Sequence, residues 1–233
     1  MIKFKGYDLT SKGIIDEDIP KVQKPKKRID IYNIYGRNGF LSVDNNTYDS
    51  YQIQVGCHIK DNANMDEIAK FLDGYGTISF DNIKQSTAIV NNNIEFNKIR
   101  NSGFKKFMLS FLVNPIFEDI EATIYTPTFS LDSTFYKATI SETFNYNVYP
   151  SELEIEIASD TDFYINNRKF SLKSGHYYLD CKNKEIYDSN HVNKSSQMSG
   201  DFPYLDTSGT NTIKCTTSPT TFKITCYKPH LMG

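Results

Sequence analysis

Apolar residues recur at every second position through much of this chain, the period of a strand with one buried and one wet face. Tyr51, Ile53, Val55 and Cys57 share a face, with Gln52 and Gln54 opposite. Leu153, Ile155 and Ile157 alternate with Glu152, Glu154 and Glu156 in the same way. Phe107, Leu109, Phe111 and Val113 are interleaved with Met108 and Leu112. That strand is therefore expected to be central and covered on both faces. Ile29 and Ile31 begin an earlier strand ending at the turn Gly36–Gly39, where glycine removes the strain of a positive φ.

One stretch switches to the helical period. Asn64 is a good N-cap, Glu67 follows three positions later, and Ile68, Phe71 and Leu72 form an apolar stripe. Gly74 supplies the left-handed stop. So short a helix needs a sheet to sit on, and the first domain's sheet is expected to provide it.

Further along, Asn166-Asn167 predicts a tight hairpin joining Phe163–Ile165 to Phe170–Leu172, because Asn tolerates left-handed turn conformations. A strand is expected from His176 to Leu179. Near the end, a turn centred on Ser218-Pro219 sets Ile213 opposite Ile224 and Cys215 opposite Phe222, a closing hairpin with all four on one face. Ser189–Gly200 is polar throughout and predicts the longest surface loop. The pattern lapses at Tyr125-Thr126-Pro127-Thr128-Phe129-Ser130, which suggests two domains, residues 1–130 and 131–233. Short, evenly spaced strands without βαβ alternation imply a mainly β protein with one short helix, its second half a β-sandwich or jelly roll.

Composition agrees. Hydrophobic residues make up 39% of the 233, including 16 Phe and 16 Tyr, enough for two β cores. The 26 basic and 28 acidic side chains leave a net charge of -2, which gives no electrostatic reason for a nucleic-acid or membrane partner. Met1–Gly6 lacks the apolar region of a secretory signal, and the longest apolar run, 107–113, is too short to span a bilayer. A soluble protein made in a cytoplasm is the expectation. Cys57, Cys181, Cys215 and Cys226 show neither a C-x-x-C pair nor zinc-like spacing. In the register above, Cys215 and Cys226 are misaligned for a bridge, so all four are read as reduced, small apolar residues.

The candidates for chemistry are weak. Glu152, Glu154 and Glu156 stand at a spacing that a glycosidase pair also uses, but strict alternation is what a wet strand face looks like. His58, His176, His191 and His230 are scattered without a metal-binding pattern. Serine-nucleophile, P-loop and dinucleotide glycine motifs are absent from the sequence. A lectin-type site is an alternative for the second domain, although the chain has no Trp and His191-Val192-Asn193 continues to Lys194 rather than the Pro-Arg of galectins. The basic run Lys21, Lys24, Lys26, Lys27 and Arg28, broken by Pro25, reads as a solvated approach to a strand.

Several motifs, in their order along the chain, resemble the distal tail (Dit) protein family of long-tailed phages. They are Phe4-Lys5-Gly6-Tyr7-Asp8-Leu9, the basic approach at 26–28, and the turn Gly36-Arg37-Asn38-Gly39. The capped helix followed by Gly76 and strands up to Asn114-Pro115 keeps the same order. Phe202-Pro203-x-Leu205 with Gly209-x-Asn211-x-Ile213 is similar to the family's second signature. Two departures stand out: Tyr35 occupies a place where proline is common, and the Leu205–Gly209 loop is one residue longer.

The resemblance implies an N-terminal β domain with a helix that forms a homohexameric ring, and a C-terminal galectin-like sandwich. It also implies a non-enzymatic virion component at the tail tip, without cofactor or metal. Its partners would be its own copies, the tail tube protein, the tail-associated lysin or hub protein and a receptor-binding protein. DNA would pass through the lumen without specific binding. A carbohydrate-binding adhesion module on the second domain is the alternative.

Overall fold

The computed structural model describes residues 2–17, 20–21, 23–36 and 38–231. Strands dominate, and among the described residues Met65–Leu72 is the one α-helix. The fold is mainly β, with curled sheets that form sandwich-like layers. The chain divides into two compact units, Met1–Ile120 with His230–Gly233, and Glu121–Pro229. The strand Thr123–Tyr125 already pairs within the second unit, on Thr221–Cys226. The division thus falls nearer the chain start than the 130/131 drawn from the lapse in pattern at 125–130.

In the first unit, Phe104–Val113 lies between Tyr51–Lys60 and Lys84–Val90, all antiparallel. It is central, as its apolar run predicted, with Phe107, Leu109, Phe111 and Val113 buried. Its other face is only partly covered: Ser110 is buried, but Met108 is exposed, so the expectation of cover on both faces fails there. Ile53, Val55, Cys57 and Ile59 face the same core. Asn64 caps the helix by accepting from the amides of Asp66 and Glu67, at 3.2 and 3.4 Å. Ile68 and Leu72 are buried, and Phe71 meets Phe4 edge-on at 5.9 Å. Gly74 takes φ 76°, the left-handed stop expected of it. His230 returns to this unit, its Nε2 2.7 Å from an Asp119 carboxylate oxygen.

The second unit is a sandwich. One sheet runs Thr123–Tyr125, Thr221–Cys226, Glu152–Ile157, Gly175–Asp180, Glu185–Tyr187; the other runs Ser130–Asp132, Phe135–Ile140, Asn211–Cys215, Thr161–Ile165, Arg168–Leu172, Met198–Gly200. Inward residues of both sheets form one core, with Phe163 of one sheet 5.9 Å from Phe222 of the other. Asn166 and Asn167 both have positive φ, making the tight hairpin read from the sequence. Ser189–Gly200 is less of a loop than expected, since Met198–Gly200 pairs with Phe170–Leu172 as an edge strand.

The closing hairpin is a correction. Asn211–Cys215 pairs with Phe135–Ile140 and Thr161–Ile165, whereas Thr221–Cys226 pairs with Glu152–Ile157 and Thr123–Tyr125. The two segments therefore lie in different sheets, joined by an arch. The Thr216 amide donates to Asp162 O and the Thr220 amide to Glu156 O, so each end of the arch is held by its own sheet. Ile213, Cys215, Phe222 and Ile224 do face one core, but across the sandwich rather than across a ladder. Period-2 alternation specifies a face and leaves the pairing partner open.

All four cysteines are free and buried. Burial pushes the thiols of Cys57, Cys215 and Cys226 up to about 12, so they stay protonated and unreactive at neutral pH. Protein unfolded in denaturant without reductant should show all four thiols to a thiol-reactive dye; a count of two would reveal a bridge.

The C-terminal motif is a latch on this sandwich. Asn211 is fully buried, and its Oδ1 accepts from the Asp206 amide at 2.7 Å and from the Asn166 side chain. Asn166 in turn accepts from the Thr212 amide at 2.9 Å. One side chain thereby ties the 203–209 loop to the hairpin at 166–167. Leu205, fully buried, bridges to Val148, and Gly209 takes φ 81°. Asn211→Leu leaves the Asp206 amide and the Asn166 side chain without their acceptor, and should cost about 2–4 kcal/mol in urea denaturation. A loss near zero would mean that the latch contributes nothing.

A candidate assembly surface

Among the described residues the strands Lys27–Asn33 and Phe40–Tyr48 pair only with each other, as a two-stranded ribbon within the first unit. The ribbon forms because a turn with Gly36 at φ 78° and Gly39 at φ 89° reverses the chain between β-branched and aromatic segments. Its base is held by polar contacts. The Asp49 amide donates to Lys26 O at 2.9 Å, Arg28 Nε reaches Asp49 at 2.6 Å, and Lys27 pairs with Asp44. Asn45 donates to Asp30 at 2.9 Å. The hydrogen bond that the Lys27 ammonium donates to Asp44 holds it above the usual lysine range.

Antiparallel partners share a face, so the register sorts the side chains. Ile29/Asp44, Ile31/Ser42 and Asn33/Phe40 share one face; Asp30/Val43 and Tyr32/Leu41 share the other. Both faces carry large apolar groups, and neither is covered by a layer of the described residues. Ile31 is 62% exposed and Phe40 67%, with Tyr32, Ile29, Leu41, Val43, Ile34 and Tyr35 also exposed. Of seventeen exposed large apolar side chains among the described residues, these eight lie between 29 and 43. Scattered apolar residues on a surface mean little; this concentration on one thin element makes it the candidate interaction surface.

Covering Ile31 and Phe40 alone would recover on the order of 2–4 kcal/mol. The ribbon runs through Asp49 and Ser50 into Tyr51–Lys60, whose outer edge pairs with Ile15–Asp16 at Cys57 and His58 and accepts from the Glu17 amide at Gly56, with no further pairing among the described residues. An apolar ribbon and a partly open strand edge are thus continuous in the chain.

The residues singled out in the sequence divide between the two units. Gly36, Asn38 and Gly39 form the ribbon's exposed turn, and Arg37 lies outside the described residues. Phe202, Pro203, Leu205, Gly209 and Asn211 belong to the buried latch of the second unit. The first group therefore sits on the candidate surface, while the second organises a loop. The apolar ribbon itself was not read from the sequence. Its signal was present: Ile31-Tyr32 and Phe40-Leu41 are adjacent apolar pairs that put bulk on both faces at once.

The candidates for chemistry resolve into structural contacts. Glu154 lies 3.0 Å from His176 Nε2 and accepts from the Tyr178 hydroxyl at 3.4 Å. Glu152 accepts from Tyr187, and Glu156 from Thr221. His58 pairs with Glu17 at 3.1 Å. Among the described residues no three His, Cys, Asp or Glu side chains are grouped to hold a metal, and no helix is long and apolar enough to cross a membrane.

Neither Ile31 nor Phe40 is buried in the isolated chain. In protein dilute enough to be monomeric, Ile31→Asp with Phe40→Asp should therefore change the unfolding free energy by less than about 0.5 kcal/mol. A loss of several kcal/mol would show that the ribbon packs on its own chain.

No protein-family model matches the sequence, and no curated protein matches it. Solved structures do. The SPP1 Dit (gp 19.1) protein, described as a paradigm of hub adsorption apparatus in Gram-positive infecting phages, superposes with a TM-score of 0.64 at 12% identity. That superposition covers 98% of each chain. Chains of the phage P2 baseplate in its activated conformation also match over 91% of this chain and 93% of theirs. With Ca the identity is 8% and the TM-score 0.49, and with Sr they are 9% and 0.44. From end to end, this chain has the fold of the SPP1 Dit protein.

Proposed function

We propose that the chain is a structural subunit of a phage tail tip, a Dit-type protein that closes with its own copies into a hexameric ring. The observation that carries this is the uncovered apolar ribbon 27–48, on a fold shared along its whole length with a phage hub protein. The ribbon's occupant is a second copy of the chain. A ring requires a heterologous contact, in which a projecting element of one copy meets a different surface of the next. A thin ribbon with apolar groups on both faces suits that role, because two surfaces of a neighbour can clamp it. The part of the Tyr51–Lys60 edge before Gly56, unpaired among the described residues, offers a second, backbone-mediated contact.

The ring would join the end of the tail tube to the tail-tip hub protein or tail-associated lysin, and carry receptor-binding protein. Its work is assembly and not catalysis, consistent with Glu152, Glu154 and Glu156 being occupied by structural hydrogen bonds. A net charge of -2 suits a subunit whose lumen lets DNA pass without gripping it.

Light scattering on the purified chain, with negative-stain images of the same peak, should give a discrete hexamer seen as a ring. Ile31→Asp with Phe40→Asp should abolish the ring and leave a folded monomer. A wild-type chain that stays monomeric at all concentrations and with tail-tube and hub proteins added would sink the reading. So would a ring that the double variant leaves intact.

A further inference from the structure

The outer face of the six-stranded sheet carries charges in an arrangement the fold alone would avoid. Lys137 lies directly opposite Lys214, which lies opposite Tyr164, which lies opposite Lys169. Four neighbouring strands therefore present Lys, Lys, Tyr, Lys in one row, about 14 Å long at the usual strand spacing. Like charges set opposite each other destabilise a sheet. Lys169 is compensated by Asp162 at 2.7 Å. Lys137 has only Asp132 at 3.9 Å, and among the described residues no carboxylate pairs with Lys214.

A concave hollow of about 550 Å³ opens over these two lysines. Phe135 and Tyr164, edge-on at 5.8 Å and half-exposed, form its apolar part. Asn166, Asn167, Thr212 and Asp206 line the rest. Two lysines opposed inside a hollow, with one long ion pair to Asp132 and one lining carboxylate, Asp206, between them, mark a candidate functional position. Here the missing partner is an anion.

We propose that this hollow binds an anionic saccharide, with Lys137 and Lys214 taking the acidic group, Phe135 and Tyr164 the ring, and the amide and hydroxyl side chains its hydroxyls. The two opposed ammoniums, one weakly paired and one without an ion pair among the described residues, ask for negative charge. Asn166, Asn167 and Thr212 around them are uncharged, and the Asp206 carboxylate is an acceptor for a hydroxyl, so the lining asks for a ligand rich in hydroxyls, which a bare phosphate chain lacks. Two lysines on a chain of net charge -2 are too few to hold nucleic acid, whose affinity rests on many phosphate contacts. The site belongs to the second unit and does not depend on the ring, so it stands or falls separately from the assembly reading.

The test is titration calorimetry of the full chain against five probes: a uronic-acid oligosaccharide, a sugar-phosphate oligosaccharide, a neutral glucan oligosaccharide, a glycerol-phosphate oligomer and an oligothymidylate. One or both acidic oligosaccharides should bind, and which one does identifies a carboxylate or a phosphate as the acidic group. Lys137→Gln with Lys214→Gln should weaken that binding about tenfold or more, as should Tyr164→Ala. Because the lysine pair repels, its removal should leave the melting temperature unchanged or raised, which separates lost binding from lost fold. Failure of both acidic oligosaccharides to bind, or binding that the variants leave unchanged, overturns the proposal. Equal binding of the neutral glucan, the glycerol-phosphate oligomer or the oligothymidylate overturns it as well.

Discussion

A two-stranded ribbon can bury neither of its faces by itself, and this constraint organises the first half of the chain. Strands gain stability by stacking one face on a second layer, so isolated hairpins are marginal in water. Most sheets here obey: the second unit sandwiches its apolar faces against each other, and the first unit closes its core with a helix and the N-terminal segments. The ribbon 27–48 does not, and it keeps large apolar groups on both sides. Selection against aggregation would remove such groups from a lone chain. In the proposed ring a neighbouring copy covers them.

How much of this was legible depends on what each signal specifies. Alternation located the buried faces of Tyr51–Lys60, Phe104–Val113 and Glu152–Ile157 because period 2 fixes which side chains point inward. Local chemistry located the helix and the hairpin at 166–167, because a cap or a left-handed Asn acts within a few residues. Pairing partners were another matter. The final segments share a face pattern that fits a hairpin and an arch equally well. What separates these is whether backbone donors meet each other or meet older strands, which is a tertiary outcome. Met108 shows the same limit: an apolar residue on a central strand predicts cover only if a second layer exists on that side.

The site was less legible than the fold. Gly36 and Gly39 marked the turn correctly, but the turn mattered less than the residues flanking it. Adjacent apolar pairs at 31–32 and 40–41 look like buried strand in a sequence, since burial on both faces and exposure on both faces leave the same pattern. Only the absence of a covering layer tells them apart. The C-terminal motif misled in the opposite direction. Asn211 is polar and stands beside exposed loops, yet it is fully buried and works as a hydrogen-bond hub. Its constraint is internal: two loop-forming segments need one common acceptor.

These two cases set apart what holds the fold from what the surface offers. The buried latch at Asn211 fixes the hairpin that carries Asn166 and Asn167, and both residues line the hollow beside Lys214. A hydrogen-bonded network thus lies beside the opposed lysines Lys137 and Lys214. That is the arrangement a binding site needs, because lysines held on a sheet lose less freedom on meeting an anion than lysines on a mobile loop. The repulsion between Lys137 and Lys214 is then tolerable only because the underlying sheet is strongly held by its core and its latch. Stability below permits strain above, in the ribbon as apolar exposure and in the sandwich as opposed charge.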